Sequence, residues 1–294
     1  MQTVIKIIFS DTPKFYRYLV LVLVLCAINL STAYSQTKQI DSLAMLLKQH
    51  PDQDDRRGTL LFELSTQWLH TDPKKAIPYL DQVISFQNKI KYKAIVASSY
   101  RVKGVMQYLL AMYPEALVSL NEAYRLDKLY KLPAGEAGDR ANMGMVYLAL
   151  SNMPRALTNY LAAAKIFSTI KGPNNEATTV YANIGIIYMQ MNDFDKATEH
   201  FIKTRDIYKH LNNKIGEANA LGNMAIIASK KKDYHTAVTY SKMALKLHEE
   251  VASKLGIARE TGNLSGYYGN LGQFDEGIKL GLKAAELNKA LSQG

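Results

Sequence analysis

YANIGIIYMQMNDFDKATEHFIKT, residues 181–204, is the stretch on which the fold turns. Ile184, Ile187 and Tyr188 stand at i, i+3 and i+4, which is one face of a helix, and Ala197, Phe201 and Thr204 continue the pattern on a second helix. Met191-Asn192-Asp193 between them is short and polar, so the segment reads as helix, brief turn, helix. The small residue Ala197 then recurs along the chain. Ala76, Ala116, Ala156, Ala197, Ala237 and Gly277 are separated by 40, 40, 41, 40 and 40 residues. Repetition at one period points to stacked units rather than a single core.

Other landmarks keep the same phase. Three positions before the small residue come Tyr113, Met153, Phe194, Tyr234 and Phe274, often after a turn residue such as Asn152, Asp193 or Asp233. Pro73, Pro114 and Pro154 stand where a first helical turn accepts a residue without an amide donor. A second small or polar position, Ser65, Gly104, Gly144, Gly185, Ala225 and Ser265, lies upstream in each unit, and large residues such as Trp68, Tyr147, Tyr188 and Tyr268 follow it by three. Each unit therefore reads as a helix pair. Residues 171–175 (KGPNN) and 211–216 (LNNKIG) are helix stops between units, and the apolar spacing of 40–47 before His50-Pro51 predicts one further helix that caps the array.

These residues resemble the tetratricopeptide repeat. Its pattern is met by Tyr181, Ile184, Gly185, Tyr188, Ala197 and Phe201, with Thr204 in place of the last Ala; by Met143, Gly144, Tyr147, Ala156, Tyr160 and Ala163; and by Tyr100, Gly104, Ala116, Leu120 and Ala123. The period of 40 exceeds the usual spacing of about 34 and looks like the longer-helix variety of kinesin light chains and bacterial peptide-responsive regulators. The resemblance implies an all-α, right-handed superhelical solenoid of antiparallel helix pairs. The expected organisation is an export signal over 1–35, a capping helix over 36–53 and six repeats over 54–294.

In such an array the first helices line a concave face. The resemblance places Asn142, Asn183, Asn223 and Asn263 on that face, at the sixth position of four consecutive units. Asn is mildly unfavourable inside a helix, so four in register need a reason. One reason is recognition: similar repeats use such amides to hold the backbone of an extended peptide, each amide supplying donor and acceptor. The other is structural, a bridge between adjacent units. Val105, Met145, Ile186 and Ile226 run alongside at the ninth position, with Leu148 and Met189 one turn on. If exposed, this stripe would suit the apolar side chains of a bound segment; otherwise it is packing between units. Arg101, Lys230 and Arg259 are the candidates for a carboxylate clamp, in units too far apart to form one. Gly262, Gly266, Gly269, Gly272, Gly277 and Gly281 make the last unit poor in side chains, so it is expected to fray unless something packs closely against it.

Lys6, Lys14 and Arg17 precede the apolar run 19–28, which is shorter than the roughly 20 residues of a membrane span and within the about 7 to 15 of a signal-peptide core. Ala33-Tyr34-Ser35 resembles a cleavage site; an uncleaved anchor is the alternative. Export would place the protein in the periplasm or outside the cell. Cleavage removes the single cysteine, Cys26, and takes two units off the formal charge of +10. One cysteine already excludes a disulfide framework and Cys-rich zinc sites.

The basic residues are dispersed over links and outer faces, unlike the concentrated patch of a nucleic-acid reader, so no nucleic-acid partner is expected. His50, His70, His200, His210, His235 and His248 form no zinc-protease pair, and no phosphate loop or nucleophile elbow is present. No enzyme, metal or cofactor is expected. The sequence points to a scaffold that binds a protein or peptide segment in its concave groove. The alternative is the sensory N-terminal region of a longer envelope signalling protein whose kinase, cyclase or regulator output lies beyond this chain.

Overall fold

A computed structural model describes residues 38–69, 71–172 and 174–293. The export segment expected over 1–35, with Cys26, lies outside the described residues, as do His70, Pro173 and the first two positions of the expected capping segment. Among the described residues there are 13 α-helices and no strand. They fall into two compact units, the first up to Met112 and the second from Tyr113.

The first unit holds α1 (38–49), α2 (Asp55–Thr66), α3 (Pro73–Ser85) and α4 (Lys93–Leu109). Leu43 of α1 packs with Leu60 and Leu64 of α2, supported by Ile40, Leu47 and Tyr79. Carbonyls at the end of a helix lack intrahelical donors, and Arg57 supplies them: its Nη1 donates to the carbonyls of Leu47 (3.1 Å) and His50 (2.8 Å). Asp54 caps α2 by accepting from the Arg57 backbone N–H at 3.0 Å and pairs with His50. Those contacts, the Arg57 N–H first, hold its carboxyl below the usual range. Ala76 and Leu80 of α3 meet Met106 and Val102 of α4.

The second unit runs through α5 (Tyr113–Leu129), α6 (Pro133–Ala149), α7 (Met153–Phe167), α8 (Asn175–Gln190), α9 (Phe194–His210), α10 (Lys214–Lys230), α11 (Tyr234–Glu250), α12 (Lys254–Asn270) and α13 (Phe274–Ser292). Most of its turns share one local construction. A residue in the left-handed conformation follows the helix, as at Ser151 (φ 57°), Asn192 (59°), Lys232 (63°) and Gly272 (74°). The next N–H then reaches back to a carbonyl five residues earlier: Asn152 to Tyr147 (2.8 Å), Asp193 to Tyr188 (2.9 Å), Asp233 to Ala228 (2.9 Å). That same residue starts the following helix, because the side chains of Asn152, Asp193 and Asp233 accept from the backbone N–H groups of Arg155, Lys196 and Thr236. Three residues thus end one helix and begin its antiparallel partner.

The repeated small residues are where helices approach. Ala116, Ala156, Ala197 and Ala237 are fully buried. A Cβ added to Gly144 of α6 would stand 2.9 Å from the Tyr160 ring of α7, and one on Gly185 of α8 would stand 2.9 Å from Phe201 of α9. Missing side chains on the first helix therefore make room for rings on the second; burying a ring such as Phe201 contributes about 1.5–3 kcal/mol. The core is a series of clusters. One joins Tyr160, Ala163 and Phe167 to Val180, Ile184 and Ile187; the next joins Phe201 to Leu221, Met224 and Ile227; a third joins Val238 to Leu264 and Tyr267. The result is an all-α solenoid of the tetratricopeptide type.

The expected fraying of the last pair is not what the structure shows. α12 and α13 are continuous helices packed closely on each other, and two of the glycines explain why. A Cβ on Gly277 would lie 3.1 Å from the Ser265 carbonyl oxygen, one on Gly281 would lie 2.9 Å from Ser265 Oγ, and Ser265 Oγ donates to the Gly277 carbonyl at 2.6 Å. Loss of side chains is offset by close backbone approach.

Candidate functional site

The first helices of the second unit, α6, α8, α10 and α12, each carry one half-buried asparagine: Asn142, Asn183, Asn223 and Asn263. Their environments differ. Asn183 Nδ2 donates to the Tyr160 hydroxyl at 3.1 Å, tying α8 to α7 of the preceding pair. Asn263 Nδ2 donates to Glu260 Oε2 at 3.3 Å. Asn142 and Asn223 make no side-chain hydrogen bond among the described residues, so two amides of the row keep their full donor and acceptor capacity.

The apolar stripe is less open than an exposed binding surface. Met145, Ile186 and Ile226 are half-buried on α6, α8 and α10, and Val105 is half-buried on α4 of the first unit. Leu148 packs against the cluster of Tyr160 and Ile184, while Ile186 and Met189 pack against that of Phe201 and Leu221. Those three side chains join successive helix pairs.

Of the three clamp candidates, Arg101 lies on α4 of the first unit and Lys230 in the exposed last turn of α10. Arg259 is the one around which a site is built. Its Nη2 donates to Asn219 Oδ1 at 2.7 Å, across 40 residues of sequence, and approaches His248 Nε2 at 3.2 Å. Its Nε donates to Glu260 Oε1 at 3.0 Å. Glu260 is fully buried on α12, and its Oε2 also accepts from Ser241 Oγ at 2.9 Å. Gly222 of α10 leaves space for that carboxylate: a Cβ there would stand 2.9 Å from Glu260 Oε1.

A guanidinium only donates, so the His248 ring accepts at Nε2 and is held neutral in this contact. Burial lowers the His248 pKa first, the Arg259 charge lowers it further, and Glu260 opposes both. Burial, aided by Glu260, pushes the Tyr267 hydroxyl up to about 12. At the next pair down, His200 stacks on Tyr188 with ring centroids 5.7 Å apart, and burial lowers its pKa as well. The α10–α12 face thus offers Asn219, Asn223, Arg259 and Asn263 in one polar patch above a buried carboxylate.

Asn219 stands four residues before Asn223 as Arg259, already a clamp candidate, stands before Asn263, so the 40-residue period applied to polar positions would have found Asn219 too. Nothing in the sequence marks Glu260, which reads as an ordinary surface carboxylate. Among the described residues no three or more His, Cys, Asp or Glu side chains gather where a metal ion could sit, and no helix is long and apolar enough to cross a membrane.

Comparison with known proteins agrees with this architecture. Residues 139–210 and 176–250 match the family model of the tetratricopeptide repeat. No curated protein sequence matches the chain. BtubC (BKLC) from P. vanneervenii superposes with a TM-score of 0.65 at 14% identity, over 78% of this chain and 92% of its own. Aspartyl phosphate phosphatase F from Bacillus subtilis gives 0.57 at 14% identity, over 87% of this chain and 68% of its own. A signal transduction ATPase with numerous domains from Pyrococcus horikoshii, described as having a tetratricopeptide repeat sensor, gives 0.72 at 19% identity over 90% of this chain; the match spans 42% of that protein. At these identities the likeness is one of fold. Phased landmarks, capped helix pairs and the matched residues agree: residues 139–250 carry tetratricopeptide repeats, in a chain whose described helices have the fold of such repeats.

Proposed function

We propose that this protein is an exported, non-enzymatic scaffold that binds an extended segment of a partner protein along the first helices α6, α8, α10 and α12. Tetratricopeptide repeats typically bind protein or peptide partners. The observation that carries the reading is the asparagine row: four half-buried amides at one register, of which Asn142 and Asn223 have no partner within the described chain. An extended backbone presents one donor and one acceptor per residue, which a carboxamide can match. The Arg259–Asn219 patch would add a charged contact at one end. Export rests on the basic and apolar pattern of residues 1–35.

Peptides selected from a displayed random library on the full chain supply the probe. The double variant N142A/N223A is expected to weaken their binding on the order of tenfold without shifting the thermal midpoint, because neither amide holds another side chain. Unchanged affinity overturns the recognition role. Export is tested by fractionating cells that express the full chain and determining the mass of the recovered protein, with a start at Gln36 expected.

A second reading makes the same array the sensory region of a longer envelope signalling protein. The likeness to a protein with a tetratricopeptide repeat sensor favours it. An open frame beyond codon 294 that encodes an apolar run of about 20 residues would support it, and a stop codon would sink it.

A further inference from the structure

Arg259 gathers polar groups around it, yet its guanidinium is not set to grip a carboxylate. Two-point recognition of a carboxylate uses adjacent N–H groups along one edge of a guanidinium. Here Nε already donates to Glu260 Oε1 at 3.0 Å, and Nη2 is taken by Asn219 Oδ1 at 2.7 Å and His248 Nε2 at 3.2 Å. Only Nη1 has no partner among the described residues, on a side chain that is 46% exposed.

The charge is compensated as well. Glu260 is fully buried and accepts from Arg259 Nε, from Ser241 Oγ at 2.9 Å and from Asn263 Nδ2 at 3.3 Å. Each of these partners donates, as an ionised carboxylate demands. A ligand carboxylate on Nη1 would therefore meet a fixed negative charge on the same guanidinium. The ion pair also sets two amides in opposite senses. Because a guanidinium only donates, Asn219 turns its oxygen to Arg259 and keeps both Nδ2 N–H groups; because a carboxylate only accepts, Asn263 turns its nitrogen to Glu260 and keeps Oδ1. The face thus presents donors at Arg259 and Asn219 and an acceptor at Asn263, one turn on and about 6 Å along α12. An extended chain repeats its same-side backbone groups about every 6.6 Å.

On the binding reading given above, we propose that Glu260 determines specificity where the partner segment crosses α10 and α12. By neutralising Arg259 and orienting Asn219 and Asn263, it selects a segment that is uncharged there and rejects an acidic side chain. Arg259 then serves as a charged donor to a neutral oxygen.

The probe is a peptide selected on the full wild-type chain from a displayed random library, scanned with glutamate and with glutamine at each position and measured by fluorescence anisotropy. On the wild type, glutamate is expected to bind on the order of tenfold more weakly than glutamine at the positions that cross α10 and α12. The net charge of +10 favours glutamate non-specifically, so this order runs against it. E260Q keeps the shape of the side chain and leaves the Arg259 charge uncompensated, so glutamate at those positions should bind it at least as tightly as glutamine. The wild-type scan depends on no variant. As a readout without peptide, the Arg259 Nε–H resonance should be visible by NMR in the wild type and lost to solvent exchange in E260Q. Peptides that are weakened by N142A/N223A, yet bind the wild type equally well with glutamate and glutamine throughout, overturn the selectivity alone. Peptides indifferent to N142A/N223A overturn the binding reading and the selectivity together. A preference for glutamine that survives unchanged in E260Q, or an Nε–H that exchanges equally fast in both proteins, overturns the role of Glu260.

Discussion

Gly185 and Gly266 look alike in the sequence and have opposite roles. A Cβ on Gly185 would press into the buried Phe201 ring, while one on Gly266 would meet nothing within 4 Å. G185A is therefore expected to destabilise the protein by about 1–3 kcal/mol, and G266A to stabilise it by about 0.5–1 kcal/mol, both read by urea denaturation. His248 makes stability depend on pH. Its folded pKa lies below the ordinary 6.5 because it is buried beside Arg259, so the unfolded chain binds the proton more readily. The stability it contributes is full above 6.5 and is lost as pH falls through 6.5 towards the depressed value. Urea midpoints should fall between pH 7.5 and pH 5, with a shallower fall in H248Q; His200, which is shifted in the same direction, contributes to the remaining slope.

At the scale of the element, turn chemistry decides where each helix stops and starts. Ala252 occupies the left-handed position between α11 and α12 at φ 52°, a conformation that costs a residue with a Cβ about 1–2 kcal/mol. A252G removes that cost and adds freedom to the unfolded chain, so a net gain of a few tenths to about 1 kcal/mol is expected. Asn213 works in the other direction, capping α10 by accepting from the Gly216 N–H at 2.9 Å. N213A should cost about 1 kcal/mol, measured by the same unfolding transition. These elements were legible beforehand because caps, glycine positions and the i, i+3, i+4 spacing are local rules. The asparagine row was legible only as a row: Asn183 is engaged because the Tyr160 hydroxyl reaches across from the neighbouring pair, and Asn263 because the buried Glu260 carboxylate stands one turn before it.

For the whole molecule, a series of clusters in place of one core implies unfolding in stages. The chain has a single tryptophan, Trp68, in the first unit, so its fluorescence follows that unit, whereas far-ultraviolet circular dichroism follows every helix. The two signals are expected to give non-coincident urea transitions; a shared midpoint and slope would mean one cooperative unit.

The sequence by itself determined the repeated helix pairs, their turns and their fold type, because each landmark acts on residues one helical turn or one short loop away. Tertiary structure alone decided which groups meet. It buried Glu260 beneath Arg259 and Asn219, closed half of the asparagine row on internal partners, and turned part of the apolar stripe into packing. The contacts of Asn183 with Tyr160 and of Arg259 with Asn219 join residues in different helix pairs, and their geometry is set by how those pairs stack on one another, which no local pattern encodes.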